Sequence, residues 1–160
     1  MTDVSIELVQ PSDVGEILTL QRAAYISEAQ LYNNVTLPPL TQTLDELASE
    51  LAESHALKAR IGARIVGAGR AIAKGSVLHI GRLTVAPDLQ GRGIGTALLD
   101  ALEKLATPDL EHFTLFTGHL STANIRLYQR CGYREVRREE LSPDVVLVHL
   151  EKPATSGALA

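Results

Sequence analysis

Only one cysteine, Cys131, occurs in 160 residues. An intramolecular disulfide, a Cys-x-x-Cys zinc site and a redox pair are therefore excluded, and the composition suits a reducing, cytoplasmic compartment. Basic residues are outnumbered, with 15 Lys and Arg against 19 Asp and Glu and a formal charge of −4. That sign argues against a general binder of nucleic acid or of anionic membranes, which needs a basic surface. It leaves a cationic small partner open. No run approaches the ~20 apolar residues of a membrane span. The first thirteen residues carry no basic stretch leading into an apolar core, so no signal peptide is expected.

What is present, 45% hydrophobic and 21% charged residues, is the composition of one ordinary globular domain. A chain of this length buries roughly two-thirds or more of its unfolded surface, enough for a core without staples. Val4 to Val9 alternate as a half-buried strand ended by Pro11. A helix is expected from Ser12 toward Leu31, with Ile17, Leu20, Ala24 and Tyr25 as its apolar stripe. The prolines of 33–40 predict a loop. Thr43 with Glu46 forms a capping box for a helix to about Ser54. Three strands follow, Leu57–Ile61, Arg64–Ala73 and Val77–Val85, joined by short turns as in an antiparallel meander. Gly93 opens a helix ending before Pro108; Phe113–Thr117 is a short strand and Ser121–Cys131 a helix stopped by Gly132. Glu135–Leu141 and Val145–Leu150 make a terminal strand pair, and Pro153–Ala160 is expected to be a disordered tail behind a domain of residues 1–152. The string predicts an α/β fold, a mixed sheet with helices packed on it.

The informative segment is Arg82-Leu83-Thr84-Val85-Ala86-Pro87-Asp88-Leu89-Gln90-Gly91-Arg92-Gly93-Ile94-Gly95-Thr96. It joins a strand to a helix. Three alternating glycines leave backbone amides uncovered at a helix N-terminus, where free N–H groups and the dipole favour an anion such as a phosphate or pyrophosphate. Arg92 adds positive charge beside them. A P-loop would need Gly-Lys-Ser/Thr, and no lysine stands here; a dinucleotide turn would need a third glycine where Thr96 lies. A helix start without any ligand is the remaining alternative.

Gln90-Gly91-Arg92-Gly93-Ile94-Gly95 resembles the acyl-CoA pyrophosphate loop of the Gcn5-related N-acetyltransferase (GNAT) superfamily, Gln/Arg-x-x-Gly-x-Gly/Ala. The resemblance widens to the preceding Leu83-Thr84-Val85-Ala86-Pro87-Asp88, to Leu127-Tyr128 with Gly132-Tyr133 downstream, and to the order of elements from residue 4 to about 150. It implies a mixed, mostly antiparallel sheet of about seven strands with about four helices, splayed between strands 4 and 5. It also implies acetyl-CoA as cosubstrate, no metal, and transfer of an acetyl group to a primary amine by direct attack in a ternary complex.

By the same resemblance, Leu83, Thr84 and Val85 would hold the pantetheine arm, with the Val85 amide donating to the thioester oxygen. A donor of that kind is worth ~2.7–4 kcal/mol in other acyl-transfer sites. Gln90, Gly91, Arg92, Gly93, Ile94, Gly95 and Thr96 would hold the pyrophosphate. Tyr128 resembles the tyrosine that protonates the departing thiolate; a phenol of pKa near ~10 can serve a thiol near ~8.5 when both are desolvated together. Asn124, one turn earlier on the same face, would reach the pantetheine or the acceptor. Many members place Asn where this chain has Ser121, which leaves the duty of Asn124 open. His79 occupies the fourth-strand position where relatives keep a glutamate base, and His119 and Glu28 are the other candidates. Cys131 reads as core. The acceptor is a small-molecule or peptide amine, recognised through the first two helices, their loop and the terminal hairpin, which could also pair two subunits. A module that keeps the acyl-CoA cleft without catalysis is the competing reading.

Overall fold

The computed structural model describes residues 3–154. Seven strands form one sheet: β1 (Ser5–Leu8), β2 (His55–Ile61), β3 (Arg64–Lys74), β4 (Val77–Val85), β5 (His112–Gly118), β6 (Arg134–Ser142) and β7 (Val145–Pro153). Their order is β1-β2-β3-β4-β5-β7-β6, and every pairing is antiparallel except β4 with β5. Six helices accompany it: α1 (Val14–Ala24), α2 (Ile26–Tyr32), α3 (Pro38–Thr41), α4 (Leu44–Ala52), α5 (Ile94–Glu103) and α6 (Thr122–Arg130). None is long and apolar enough among the described residues to cross a membrane. The expected mixed sheet is thus the one observed, with more helical segments than four.

The two extra segments have local causes. The single helix expected over 12–31 breaks at Tyr25, whose ψ of 2° ends α1 and starts α2. The proline stretch is not all loop: Leu37 is extended at ψ 138°, as a residue before proline must be, but Pro38 and Pro39 then take the first two helical positions of α3. Those positions have no intrahelical donor to lose. The capping box forms as expected, with Glu46 N–H on Thr43 Oγ1 at 3.1 Å and Thr43 N–H on Glu46 Oε1 at 2.9 Å. At the other end, β7 runs through Pro153, and the Ala154 amide donates to the Glu111 carbonyl at 2.9 Å. Those two residues of the expected tail therefore lie on the sheet; residues 155–160 fall outside the described part.

The sheet separates two layers. Residues of β3 alternate faces: Gly67 and Gly69 look toward α5, while Ala68 and Arg70 look toward α1 and α4. A Cβ on Gly67 would stand 2.8 Å from Leu98 Cδ1, so glycine is what lets α5 lie against β3. Leu98, Leu99 and Leu102 of α5 are buried, with Leu78, Val148 and Leu150 from the sheet. Leu47 of α4 and Ile17 of α1 close the opposite layer. The outermost strand, β6, is exposed almost throughout and carries three Arg and three Glu in nine residues, the charged composition that discourages edge pairing.

One ion pair anchors the start of α1. Lys58, 8% exposed on β2, donates to Asp13 Oδ2 at 2.7 Å, and the Gln10 amide donates to the same oxygen at 2.7 Å. Burial alone would raise the Asp13 pKa, but the Lys58 and Gln10 hydrogen bonds and the Lys58 charge outweigh it and hold it below the usual range. A depressed carboxyl stabilises the fold above its unfolded pKa and loses that contribution as pH falls through the folded one. Asp13→Asn is expected to cost about 3 kcal/mol at pH 7, because it leaves a buried ammonium with only the Glu7 carboxylate, at 4.0 Å, for a counter-charge. The gap to wild type should narrow below about pH 4. Urea unfolding at pH 7 and pH 3 measures both; a gap that does not change with pH contradicts the assignment.

Candidate active site

The site begins where β4 leaves β5. The two strands pair only at Val77–His112, Leu78–Phe113 and His79–Thr114. Beyond His79 they part, and β5 turns its other edge to β7 along its whole length. The cause is visible in β4 itself: opposite Ala68–Arg70 the register slips, with Ala68 facing Thr84 but Arg70 facing Gly81. The extra residue forms a bulge, and Arg82 within it has φ 52°, a left-handed conformation unusual for a side-chain-bearing residue. A bulge bends and twists its strand away from its neighbour, and here that opens a wedge.

The wedge wall has a defined polarity. Val85 and Gly67 are directly opposite, and the next amide, Ala86 N–H, reaches Val66 O at 2.8 Å. Val85 is then in a non-hydrogen-bonded pair, so its own N–H and C=O point away from β3, into the wedge. Its carbonyl accepts from Gln90 Nε2 at 2.9 Å, which leaves the N–H as the free group. Leu83 lies on the same side as Val85, with the side chain toward α5, whereas Thr84 is buried at 5% and bonds the Arg82 carbonyl at 2.9 Å.

The glycine turn follows directly. Arg64 holds Asp88 by a two-pronged contact at 3.0 and 2.8 Å, fixing the short 3-10 turn Pro87–Leu89. Gly91 (φ 77°) and Gly93 (φ 82°) adopt left-handed backbone, and a Cβ on either would meet nothing within 4 Å, so the space in front of them is open. Gly93 caps α5, whose first internal bond is Ala97 N–H to Gly93 O at 3.0 Å. The amides of Ile94, Gly95 and Thr96 precede that bond and have no helical acceptor. Gly95 differs: its Cβ would touch Leu127 Cδ2 at 3.4 Å, an ordinary contact, so this position is a packing surface against α6. Arg92 is exposed beside the free amides.

Tyr128, on α6, is 6% exposed and meets Tyr133 edge-on at 6.3 Å. Burial, and secondarily the negative forms of Tyr25 and Glu28, push its pKa well above that of a free phenol, so it carries its proton at neutral pH. Glu28 has a built setting. Ser121 Oγ donates to Glu28 Oε2 at 2.6 Å; having spent its only proton there, Ser121 must accept from Tyr32, 2.8 Å away, and the Tyr32 oxygen accepts from Leu120 N–H at 3.0 Å. The chain of donors runs from the β5–α6 connection through Tyr32 and ends on the carboxylate. Asn124 makes only a long 3.4 Å contact to Thr117 Oγ1.

His79 stands apart. It is exposed, at the last paired position before the wedge, and partial burial of its ring together with the Lys74 charge lowers its pKa. His119 is engaged by backbone, its Nδ1 accepting from Val146 N–H at 3.1 Å. The structure packs the Gly95 position of the turn against Val85 of β4 and Leu127 of α6, joins the base candidate Glu28 to Ser121 and Tyr32, and leaves His79 exposed at the far end of the β4–β5 pairing. Sequence reasoning gave Tyr32 and Ser121 no such partnership because neither lies at a spacing that pairs them; they are 89 residues apart. Arg70 and Arg82 were also missed. The available signal was a Gly-Arg pair repeated in neighbouring apolar strands, Gly69-Arg70 and Gly81-Arg82.

An acetyltransferase (GNAT) domain model matches residues 27–153, and the chain belongs to that family. The fold is shared with solved structures of low identity. The PaiA N-acetyltransferase of Thermoplasma acidophilum, solved with coenzyme A, is 14% identical, with a TM-score of 0.77 over 94% of this chain and 99% of that one. The ribosomal-protein-S18-alanine N-acetyltransferase of Escherichia coli is 17% identical, with 0.75 over 95% and 94%. YncA of Salmonella typhimurium, solved with acetyl-CoA, is 14% identical, with 0.75 over 96% and 95%.

The donor chain needs Gly118 at the end of β5. A Cβ there would stand 1.9 Å from the Tyr32 hydroxyl and 2.5 Å from Cζ. Tyr32 is buried and its oxygen is held twice, so it has little room to move aside. Gly118→Ala is expected to destabilise by ~1–3 kcal/mol through overpacking and to loosen α2, read as faster amide exchange over 26–32. An unchanged unfolding midpoint and unchanged exchange would show that Tyr32 is not fixed by this contact.

Proposed function

We propose that this chain is an acetyl-CoA-dependent N-acetyltransferase acting on a primary amine by direct attack within a ternary complex. The observation that carries it is the juxtaposition of a free Val85 N–H in the wedge with the uncovered amides at the start of α5. The open space before Gly91 and Gly93 suits a diphosphate, and free helix-start amides supply both hydrogen bonds and the positive end of the dipole. In this reading the Gly91–Thr96 turn holds the pyrophosphate with Arg92 at its rim, Leu83–Val85 receive the pantetheine, and Gln90 acts by occupying the Val85 carbonyl. Asn124 lies beside that channel.

Bound acetyl-CoA supplies an acyl carbon activated as a thioester. The protein supplies the rest. The Val85 N–H polarises the acyl oxygen and favours the charge that grows there. Glu28, held by Ser121, takes the ammonium proton directly or through water; the nitrogen lone pair forms the new N–C bond as the C–S bond breaks with its electrons on sulfur. Tyr128 gives sulfur its proton. Glu28 replaces His79 as the base in this proposal because it is held in the Ser121–Tyr32 donor chain at the start of α6, whereas His79 is an exposed residue at the last paired position of β4.

Acetyl-CoA at a hundredfold excess over Kd is expected to raise Tm by roughly 5–10 °C. Gly93→Glu, which sets a carboxylate at the phosphate seat, is expected to abolish the rise, each protein being compared with its own ligand-free midpoint. A mutant that responds as wild type does removes the loop assignment. Tyr128→Phe and Glu28→Gln are each expected to lower turnover by about 10²-fold or more with the acetyl-CoA shift intact. A larger loss in His79→Gln than in Glu28→Gln would return the base to β4.

A further inference from the structure

Under the bulge, on the face covered by α1 and α4, lies a small cavity of about 10 Å3, room for one water, whose polar lining is Gln21, Arg70, Arg82 and Thr84. Two fully buried nitrogens there have no partner: Nη1 of Arg70 and Nη1 of Arg82. Buried guanidinium nitrogens left unpaired are costly, more so than neutral donors. Arg70 is partly matched, since its Nη2 donates to Glu50 Oε1. Arg82 has no ion-pair partner among the described residues. Two cations against one carboxylate leave one positive charge over.

The backbone points the same way. Residue 82 carries the left-handed strain of the bulge although glycine, present at position 81, would carry it more cheaply. A strained conformation that aims an unpaired cation at a cavity has no stabilising role visible in the fold. Tyr25 connects this corner to the reaction centre: its phenol is close enough to sense the charge of Arg82 and, from the other side, to raise the pKa of Tyr128.

We propose that Arg70 and Arg82 receive a carboxylate of the acceptor, so that the amine acetylated belongs to an amino acid or another aminocarboxylate. An oxygen of a carboxylate can take the place of that one water and accept from an unpaired guanidinium N–H. The inference rests on the acetyl-transfer reading, and it adds no chemistry to it: Glu28 still takes the ammonium proton, the C–S bond still breaks as N–C forms, and Tyr128 still protonates sulfur.

The test pairs thermal unfolding with initial rates for the twenty amino acids, their carboxamides and inorganic phosphate, on wild type and Arg82→Met, with and without acetyl-CoA. At least one amino acid should raise the wild-type Tm and be acetylated about tenfold or more faster than its carboxamide. Arg82→Met should lose both effects, keep the acetyl-CoA shift, and unfold no earlier than wild type, since an unpaired buried cation is gone. If Arg82→Met does not fold, Arg82→Lys, which keeps charge but not the fork, should show the same loss of preference. Carboxamides equal to amino acids, a preference that survives substitution, or full protection by phosphate would each overturn the assignment. Failure of the acetyl-CoA reading registers separately, as no shift with acetyl-CoA in wild type, while the amino-acid shift still decides the guanidinium site.

Discussion

The parting of β4 from β5 after His79 is the constraint on which the remainder of the molecule depends. A fully zipped parallel pair would satisfy the backbone of both strands and leave no place for a thioester. The bulge at Arg82 breaks that pairing from within β4 and is tolerated because β3 continues to hold the strand on its other side. From this one irregularity follow the free amide of Val85, the direction in which the chain enters the glycine turn, and the placing of α5 against β3. The fold gives up several ladder bonds to keep a slot, and the lost stability is offset by the apolar layers above and below.

Around that slot the second requirement is to hold α2 in place. It is a seven-residue helix with two buried residues, too short to be stable alone. The run of donors from Leu120 through Tyr32 and Ser121 to Glu28 fastens it to the far side of the wedge, joining segments almost ninety positions apart. The serine hydroxyl fixes the orientation of that carboxylate through one hydrogen bond. Tyr128, by contrast, is kept protonated by burial.

Much of the architecture was legible in the sequence because it is encoded locally. Alternation marked the strands of the meander, the Thr43–Glu46 box marked α4, and the glycines of 91–95 marked a strand-to-helix turn with open amides. The family loop extended this to the position of Val85 and Tyr128. What could not be read is of long range. The bulge at Arg82 arises from a register slip between strands, which leaves no period in either one, and the break at Tyr25, though local, falls on no proline or glycine that would mark it. The Glu28–Ser121–Tyr32 chain is of the same long-range kind, since it joins segments 89 to 93 residues apart. Pro38 and Pro39 were misread for a different reason, since proline ends a helix in its interior but begins one comfortably at its first turn.

The Gln90 side chain deserves a last consideration, because it acts on hydrogen-bonding sense and not on shape. By occupying one lone pair of the Val85 carbonyl it leaves the N–H of the same residue as the free donor on that stretch of wall. A guest lying against that wall must present a lone pair at this height. Under the proposed function a carbonyl of the pantetheine arm would meet a donor there, whereas an N–H in its place would set hydrogen against hydrogen. One amide side chain thus confers a chemical direction on the channel.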